Sequence, residues 1–359
     1  MKLFTTLFAL CAVFSAYTQS ISLETETVIE DISIPWGIDW LPSGEMLITE
    51  RDGKLYKWKN GQLSLITGVP KVVAESQGGL LDVKVHPAYA TNGWIYLAYS
   101  KAVDAKNATT AVVRGKLSGN KFVESAEVFR AEPASETRHH YGSRIVFDKD
   151  GYMYVSVGDR GNRDENPQSL NNHCGKIHRM NDDGSVPSDN PFAGNPIAMQ
   201  TIYSYGHRNP QGLTVHPETG EIWEHEHGPK GGDEVNIIEP KKNYGWPVIS
   251  YGINYNDTKF TDITKKEGME QPEIYWVPSI APSGMDFVTS DKYGALKGDL
   301  LVGSLKFGYL HRCDVEGIKI VKQEKLLEGI GRVRVIRQGP DGFVYLGVEG
   351  KGVLRLIVK

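Results

Sequence analysis

Apolar residues along this chain come in short runs, each bracketed by glycine and charge. LPSGEMLITERDGKLYKW, ATNGWIYLAYS, DKDGYMYVSVGDRG, PETGEIWEHEHG, LKGDLLVGSLKFGYLHRC and GPDGFVYLGVEGKGVLRL share one plan. A polar turn with glycine leads into a run rich in Val, Ile, Leu, Tyr and Trp, and another glycine or charged turn ends it. That plan predicts a strand between two turns. Helical spacing is scarce, because Gly and Pro interrupt almost every stretch long enough for a helix. Six such units, roughly 45 to 80 residues apart, predict an all-β fold, a six-bladed β-propeller. A sandwich or jelly roll also has short strands, but nothing in it requires one phrase to recur at the period of a blade. The apolar runs are expected to be the inner strands, buried between neighbouring blades. A strand within SLETETVIEDI is expected to pair with GVLRLIVK and close the ring, which removes two exposed edges. The wider gaps at residues 101–140, 160–200 and 250–280 are expected to hold long loops gathered on one face.

The start of the chain reads differently. Lys2 precedes LFTTLFALCAVFSA, an apolar run too short to span a bilayer and ending in small residues. Residues 1–19 are therefore expected to be a secretory signal, and residues 20–359 a single propeller domain. Leu10 before Cys11 argues against a lipoprotein signal. No later run reaches the roughly 20 apolar residues of a membrane helix, so the expectation is a periplasmic or secreted protein without a membrane span. A net charge of −4 and the lack of a long basic run exclude a nucleic-acid partner. Cys174 and Cys313 could be bridged in an oxidising compartment, which spacing does not decide. Monomer and homodimer both stay open.

The segment from Tyr203 to Pro247 carries more polar chemistry than turning a corner needs. YGHRNPQGL crowds His207, Arg208, Asn209 and Gln211 around one proline, EHEHGPKGGDEVNII sets Glu224, Glu226, Asp233 and Glu234 among Gly and Pro, and NYGWP closes the stretch. Arg208 and Asn209 offer fixed donors for a carboxylate or a developing oxyanion. Hard cations such as calcium take carbonyl and carboxylate oxygens. Gly228 and Pro229 could hold one such ion, and Asp233, Glu234 and the backbone of Tyr244 a second. Upstream, RHHYGSR sets His139 and His140 at the mouth of a strand, and Asp159 closes the next. Adjacent strands would let Asp159 raise the basicity of an imidazole, as a general base near neutral pH requires. Gln77 stands before two glycines in ESQGGLLDV. Downstream, Lys306 follows a strand, and Arg332 and Arg334 in GRVRV point to one side of another. Like charges so placed repel unless an anion or bulk water comes between them. Solvated loops with structural ion pairs are the plain alternative for all these residues.

In this order, QGGLLDVKVHP, His-Tyr-Gly-Ser-Arg, VGDRG, YGHRNPQGL, HGPKGGDE, NYGWP, PSIAPSGM and SLK with RVR resemble the soluble quinoprotein glucose and sorbosone dehydrogenase family. These are aldose sugar dehydrogenases that use pyrroloquinoline quinone (PQQ), and the resemblance covers nearly the whole mature chain. It implies PQQ on the top face of a six-bladed propeller, with His140 as general base on the C1 hydroxyl of an aldose and Asp159 supporting it. It implies that Gln77 binds near substrate and quinone, and that Arg208 stabilises charge on a quinone oxygen with Asn209 beside it. Carbonyls of Gly228 and Pro229 would hold the Ca2+ that polarises the quinone, and Glu234 and Tyr244 a structural Ca2+. Lys306, Arg332 and Arg334 would pair with the three PQQ carboxylates, and electrons would pass to a separate acceptor. Two positions depart from the family pattern. Val277 stands where some glucose-active members have Trp, and Leu346 to Gly350 reads LGVEG where several members end that strand in Thr.

Two other functions compete. A calcium-dependent lactonase-type hydrolase shares fold and metal, but would want carboxylates converging on a channel ion and leaves Lys306, Arg332 and Arg334 without a task. A non-catalytic sugar-binding propeller predicts that His140, Asp159 and Arg208 do not meet in one pocket.

Overall fold

The computed structural model describes residues 22–359, so the expected signal at 1–19 lies outside the described residues. Six four-stranded antiparallel sheets follow one another along the chain. Their first strands are Pro35–Trp40, Leu80–Val85, Ile145–Phe147, Pro210–Val215, Pro282–Phe287 and Val333–Gln338. These six meet one another around a central axis, which makes the molecule a six-bladed propeller. Among the described residues no helix is long and apolar enough to cross a membrane.

The apolar runs that predicted the blades are the second strands counted from the axis, not the innermost ones. Met46–Glu50, Met153–Val157, Ile222–Glu226, Leu300–Ser304 and Val344–Val348 are buried at every position. A strand covered on both faces by neighbouring blades has no solvent side on which to alternate. The innermost strands instead approach each other's backbones and carry glycine. A Cβ on Gly37 would lie 2.7 Å from Asp82 Oδ1 and 2.8 Å from Val83 N, and one on Gly284 would lie 2.6 Å from Val335 Cα. Any side chain there would wedge two blades apart.

Apolar packing is distributed between blades. Six clusters each straddle one pair of neighbours; Val146, Tyr154 and Ile177 of the third blade, for instance, pack on Leu213, Ile222 and Ile238 of the fourth. Closure follows the expected route. Leu23–Ile29 joins the last sheet beside Gly352–Val358, with Leu23 opposite Val358 and Thr25 opposite Leu356.

The axis is filled by a charge. Arg144, 2 % exposed, donates to Asp82 Oδ1 (3.2 Å), to the carbonyls of Trp36 (3.0 Å), Gln211 (2.7 Å) and Arg334 (3.0 Å), and lies over the Trp36 ring. One guanidinium thus ties the third blade to the first, second, fourth and sixth.

One expectation needs correction, and one open question is answered. The gap at 101–140 is not one long loop: Ala108–Ser118 and Lys121–Arg130 form the outer hairpin of the second blade, the first mostly buried and the second masked from an apolar pattern by its exposed Lys and Glu. Cys174 and Cys313 are both free and buried, in the third and fifth blades, so no bridge joins them.

Candidate active site

His140 comes from the short link before the third blade, where its backbone adopts the left-handed conformation (φ 56°). The link is held on three sides. His140 N donates to Gln77 Oε1 (2.8 Å), Arg160 donates to the carbonyls of His139 and Thr137, and His140 Nδ1 meets Asp159 Oδ1 at 2.6 Å. Asp159 in turn accepts from Gly161 N (2.7 Å) and, on its other oxygen, from Trp246 Nε1 (2.9 Å). With Asp159 taking the Nδ1 proton, the neutral imidazole keeps its lone pair on Nε2. Burial, then the neighbouring Arg208, pushes His140 down to about 4 against the pull of Asp159. Burial pushes Asp159 up, but His140 and Arg208 outweigh it and hold its carboxyl below the usual value. The dyad is therefore an uncharged base beside a fixed anion. Together with His139, Arg208, Trp246 and Tyr255 it lines a cavity of about 340 Å³.

Arg208 and Asn209 open the fourth blade and are fixed by Glu226, whose Oε2 accepts from both backbone N–H groups (3.3 Å from Asn209) and whose Oε1 meets His207 Nδ1 at 3.1 Å. The Arg208 guanidinium donates to the carbonyls of His227 (3.1 Å) and Gly228 (2.9 Å). Asn209 Oδ1 accepts from Gly142 N (3.2 Å), while its Nδ2 is buried without a partner, as is His227 Nε2. Buried polar atoms left open cost about 1–3 kcal/mol each unless a ligand meets them.

Strand register explains a second polar cluster. Glu224 and Glu226 lie on one face of Ile222–Glu226, and Glu234 stands directly across from Glu226 on Asp233–Ile238. Like charges so opposed are destabilising. Burial first, then Glu226, pushes both Glu224 and Glu234 well above the usual carboxylate range. Glu224 Oε1 has no partner at all, and His207 closes the group. This donor set suits a hard cation. Glu226, Glu234, Gly228 and Tyr244 line one small pocket. Asp233, expected to be a metal ligand, is instead structural. Its carboxylate accepts from Gly228 N (2.8 Å), Ser279 Oγ (2.7 Å), Ile280 N (2.7 Å) and Ala281 N (2.8 Å), which ties the fourth blade to the fifth and leaves no oxygen for an ion.

Next to the dyad's cavity, and sharing Pro229 and Tyr255 with it, lies a larger one of about 610 Å³. Gln77, Gln211, His227, Arg51, Lys230, Lys306, Arg332 and Arg334 line it, five cations and no carboxylate. The repulsion expected between Arg332 and Arg334 is relieved inside the protein. Glu349 Oε2 accepts from Arg332 Nε (2.6 Å), and Oε1 accepts from Arg334 Nε (3.2 Å). One carboxylate of the chain itself thus stands between the two guanidiniums.

The sequence profile of glucose and sorbosone dehydrogenases matches residues 32–356. The chain belongs to that family. It is 39% identical over 345 residues to the aldose sugar dehydrogenase of Escherichia coli, covering 94% of this chain and 93% of that one. The crystal structure of the soluble E. coli aldose sugar dehydrogenase in its apo form superposes with a TM-score of 0.89 at 38% identity, covering 94% of this chain and 99% of that one. The PQQ-bound form of aldose sugar dehydrogenase from Streptomyces coelicolor superposes with a TM-score of 0.76 at 28% identity, covering 94% and 98%. This glucose and sorbosone dehydrogenase family member is thus an enzyme of the sugar-dehydrogenase class on a propeller fold.

Within the family frame, His140, Asp159 and Arg208 stand together at one cavity, and Gln77, Lys306, Arg332 and Arg334 at its neighbour. Residue patterns alone left Glu226, Trp246, Arg51 and Glu349 without a role. Only the carboxylate immediately before HGP could have flagged Glu226; Trp246 and Arg51 reach the site across blades, and Glu349 from the neighbouring strand.

Proposed function

We propose that the protein oxidises an aldose at C1 to the lactone, using PQQ and Ca2+, and passes the electrons to a separate acceptor. One observation carries the reading: a cavity walled by five cations and no carboxylate opens beside a buried His–Asp pair. A planar quinone with three carboxylates matches that wall in charge, and the open donor Asn209 Nδ2 matches its oxygens. Lys306, Arg332 and Arg334 would hold the carboxylates, with Arg208, Asn209 and Gln77 toward the quinone. Carbonyls of Gly228 and Pro229 would take one Ca2+, and Glu224, Glu226 and Glu234 beside Tyr244 a structural one.

When bound, PQQ supplies a two-electron acceptor for the hydride leaving C1. The chain does the rest. His140 Nε2 accepts the proton of the C1 hydroxyl, and Asp159 keeps the ring in the tautomer that can do so. Arg208, pinned by two carbonyls, keeps a positive charge where negative charge develops. Trp246 and Tyr255 wall the sugar side. We read residues 1–19 as an export signal, which the mass of the mature protein would test.

The deciding experiment titrates purified protein with PQQ and Ca2+, follows the quinone absorbance and dye reduction, and scans a panel of aldoses. Saturable binding followed by sugar-dependent reduction is expected; absence of PQQ binding with Ca2+ present rejects the proposal. The lactonase reading is weakened by the axis itself, which Arg144 and Asp82 fill where a channel ion would sit. The non-catalytic reading is weakened by the meeting of His140, Asp159 and Arg208 at one cavity.

A further inference from the structure

Resting on the PQQ reading above, we propose that Glu349 is the positioning residue of the carboxylate-binding wall: it grips Arg332 and Arg334 together from behind and holds their guanidiniums against the 610 Å³ cavity. Glu349 follows the second strand of the last blade, and its backbone N–H donates to the Arg332 carbonyl (3.0 Å). Its two oxygens are divided between the guanidiniums, Oε2 to Arg332 Nε at 2.6 Å and Oε1 to Arg334 Nε at 3.2 Å, with Arg334 Nη2 also on Oε1. The remaining contacts are weaker or partial. Arg332 Nη1 reaches the Leu305 carbonyl (3.0 Å), and Arg334 Nη1 reaches Gln211 Oε1 (3.2 Å) and Ser283 Oγ (3.4 Å).

Two roles fit a carboxylate between two arginines. It could occupy the place of a ligand carboxylate and compete, or it could brace the arginines and leave the ligand's place open. The lining decides between them: Arg332 and Arg334 face the cavity and Glu349 does not. Arg332 in particular has a half-exposed side chain (51 %), so without Glu349 only the Leu305 carbonyl restrains it against solvent. Ordering a long cation in advance spares the ligand that entropy on binding. Glu349 also lets buried Arg334 stay charged, and burial of the pair is answered within the pair.

The test measures PQQ affinity, by quenching of tryptophan fluorescence, in the full chain with Ca2+. Glu349→Gln has one acceptor oxygen for two guanidiniums, and its Kd is expected to rise about tenfold. Combined with Arg332→Ala, the loss should be clearly less than the product of the two single effects, because Glu349 acts through that arginine. Combined with Lys306→Ala, which Glu349 does not touch, the effects should multiply. Glu349→Asp keeps the charge that Arg334 needs for folding but is one methylene too short to span both partners, so a smaller loss is expected there. Wild-type affinity or better in both folded Glu349 variants, or full multiplicativity with Arg332→Ala, overturns the inference. No PQQ binding by the wild-type chain overturns the cofactor reading along with it, a result distinct from normal wild-type binding with indifferent variants.

Discussion

Replacing His140 by Gln should make the protein less sensitive to mild acid, although it removes a hydrogen bond. The folded chain holds His140 near 4, whereas the unfolded chain returns it to its ordinary value of 6.5. Between those values the unfolded state binds a proton that the folded state refuses, so stability is fully present above the unfolded value and drains away as pH falls. From about pH 7.5 to about pH 5.5 that single group should cost about 1.4 kcal/mol, since each unit of difference is worth about 1.36 kcal/mol and the unfolded His is mostly protonated by then. Glutamine does not titrate. Other buried histidines, His178, His225 and His227 among them, titrate in both proteins and cancel in the comparison. The lower limit matters, because Asp159 without His140 would itself take up protons in stronger acid. Urea unfolding of both proteins at the two pH values, without PQQ, gives the number. A constant stability difference at both pH values, within about 0.3 kcal/mol, would show that His140 is not held neutral by its surroundings.

The same low value predicts that kcat/KM of the loaded enzyme at about pH 5.5 keeps most of its neutral value, where an ordinary histidine base would keep about a tenth; a limb near 6.5 in the pH profile refutes it. Asp159→Asn should lower kcat by about 100-fold or more with PQQ affinity little changed, because the ring loses its anion and its tautomer. Calcium at about 100 times its Kd should stabilise the protein by about 2.7 kcal/mol, and Glu234→Gln should abolish most of that shift in a thermal melt. Arg144→Met should cost about 3–5 kcal/mol in urea unfolding by leaving Asp82 buried without its cation; a loss under about 1 kcal/mol would mean that the axis is not held by this pair.

How far the molecule could be read beforehand depends on which face each strand shows. Second strands such as Met153–Val157 announce themselves, because burial on both faces leaves an unbroken apolar run. Outer strands such as Lys121–Arg130 and Lys319–Leu326 stayed hidden, since solvent lets them carry Lys and Glu freely. At the site, His140, Asp159 and Arg208 were legible because each belongs to a compact motif on a strand end. Asp233 misled for a physical reason. Its carboxylate is spent on Ser279, Ile280 and Ala281, which are nearly 50 positions away along the chain yet adjacent across a blade boundary. Glu349 escaped for the same reason in reverse, as its two partners lie across a sheet rather than beside it.

The pairing of Leu23–Ile29 with Gly352–Val358 has a consequence for how the ring comes into being. The strand that leaves the ribosome first completes the sheet that is made last. Until Gly352–Val358 arrives, five blades can pack locally, but the sixth cannot be finished and the two ends of the array stay open. A polypeptide cut short by even one strand therefore carries two unsatisfied edges, which aggregate or invite proteolysis. Completion of the ring doubles as a check that all six blades have been made.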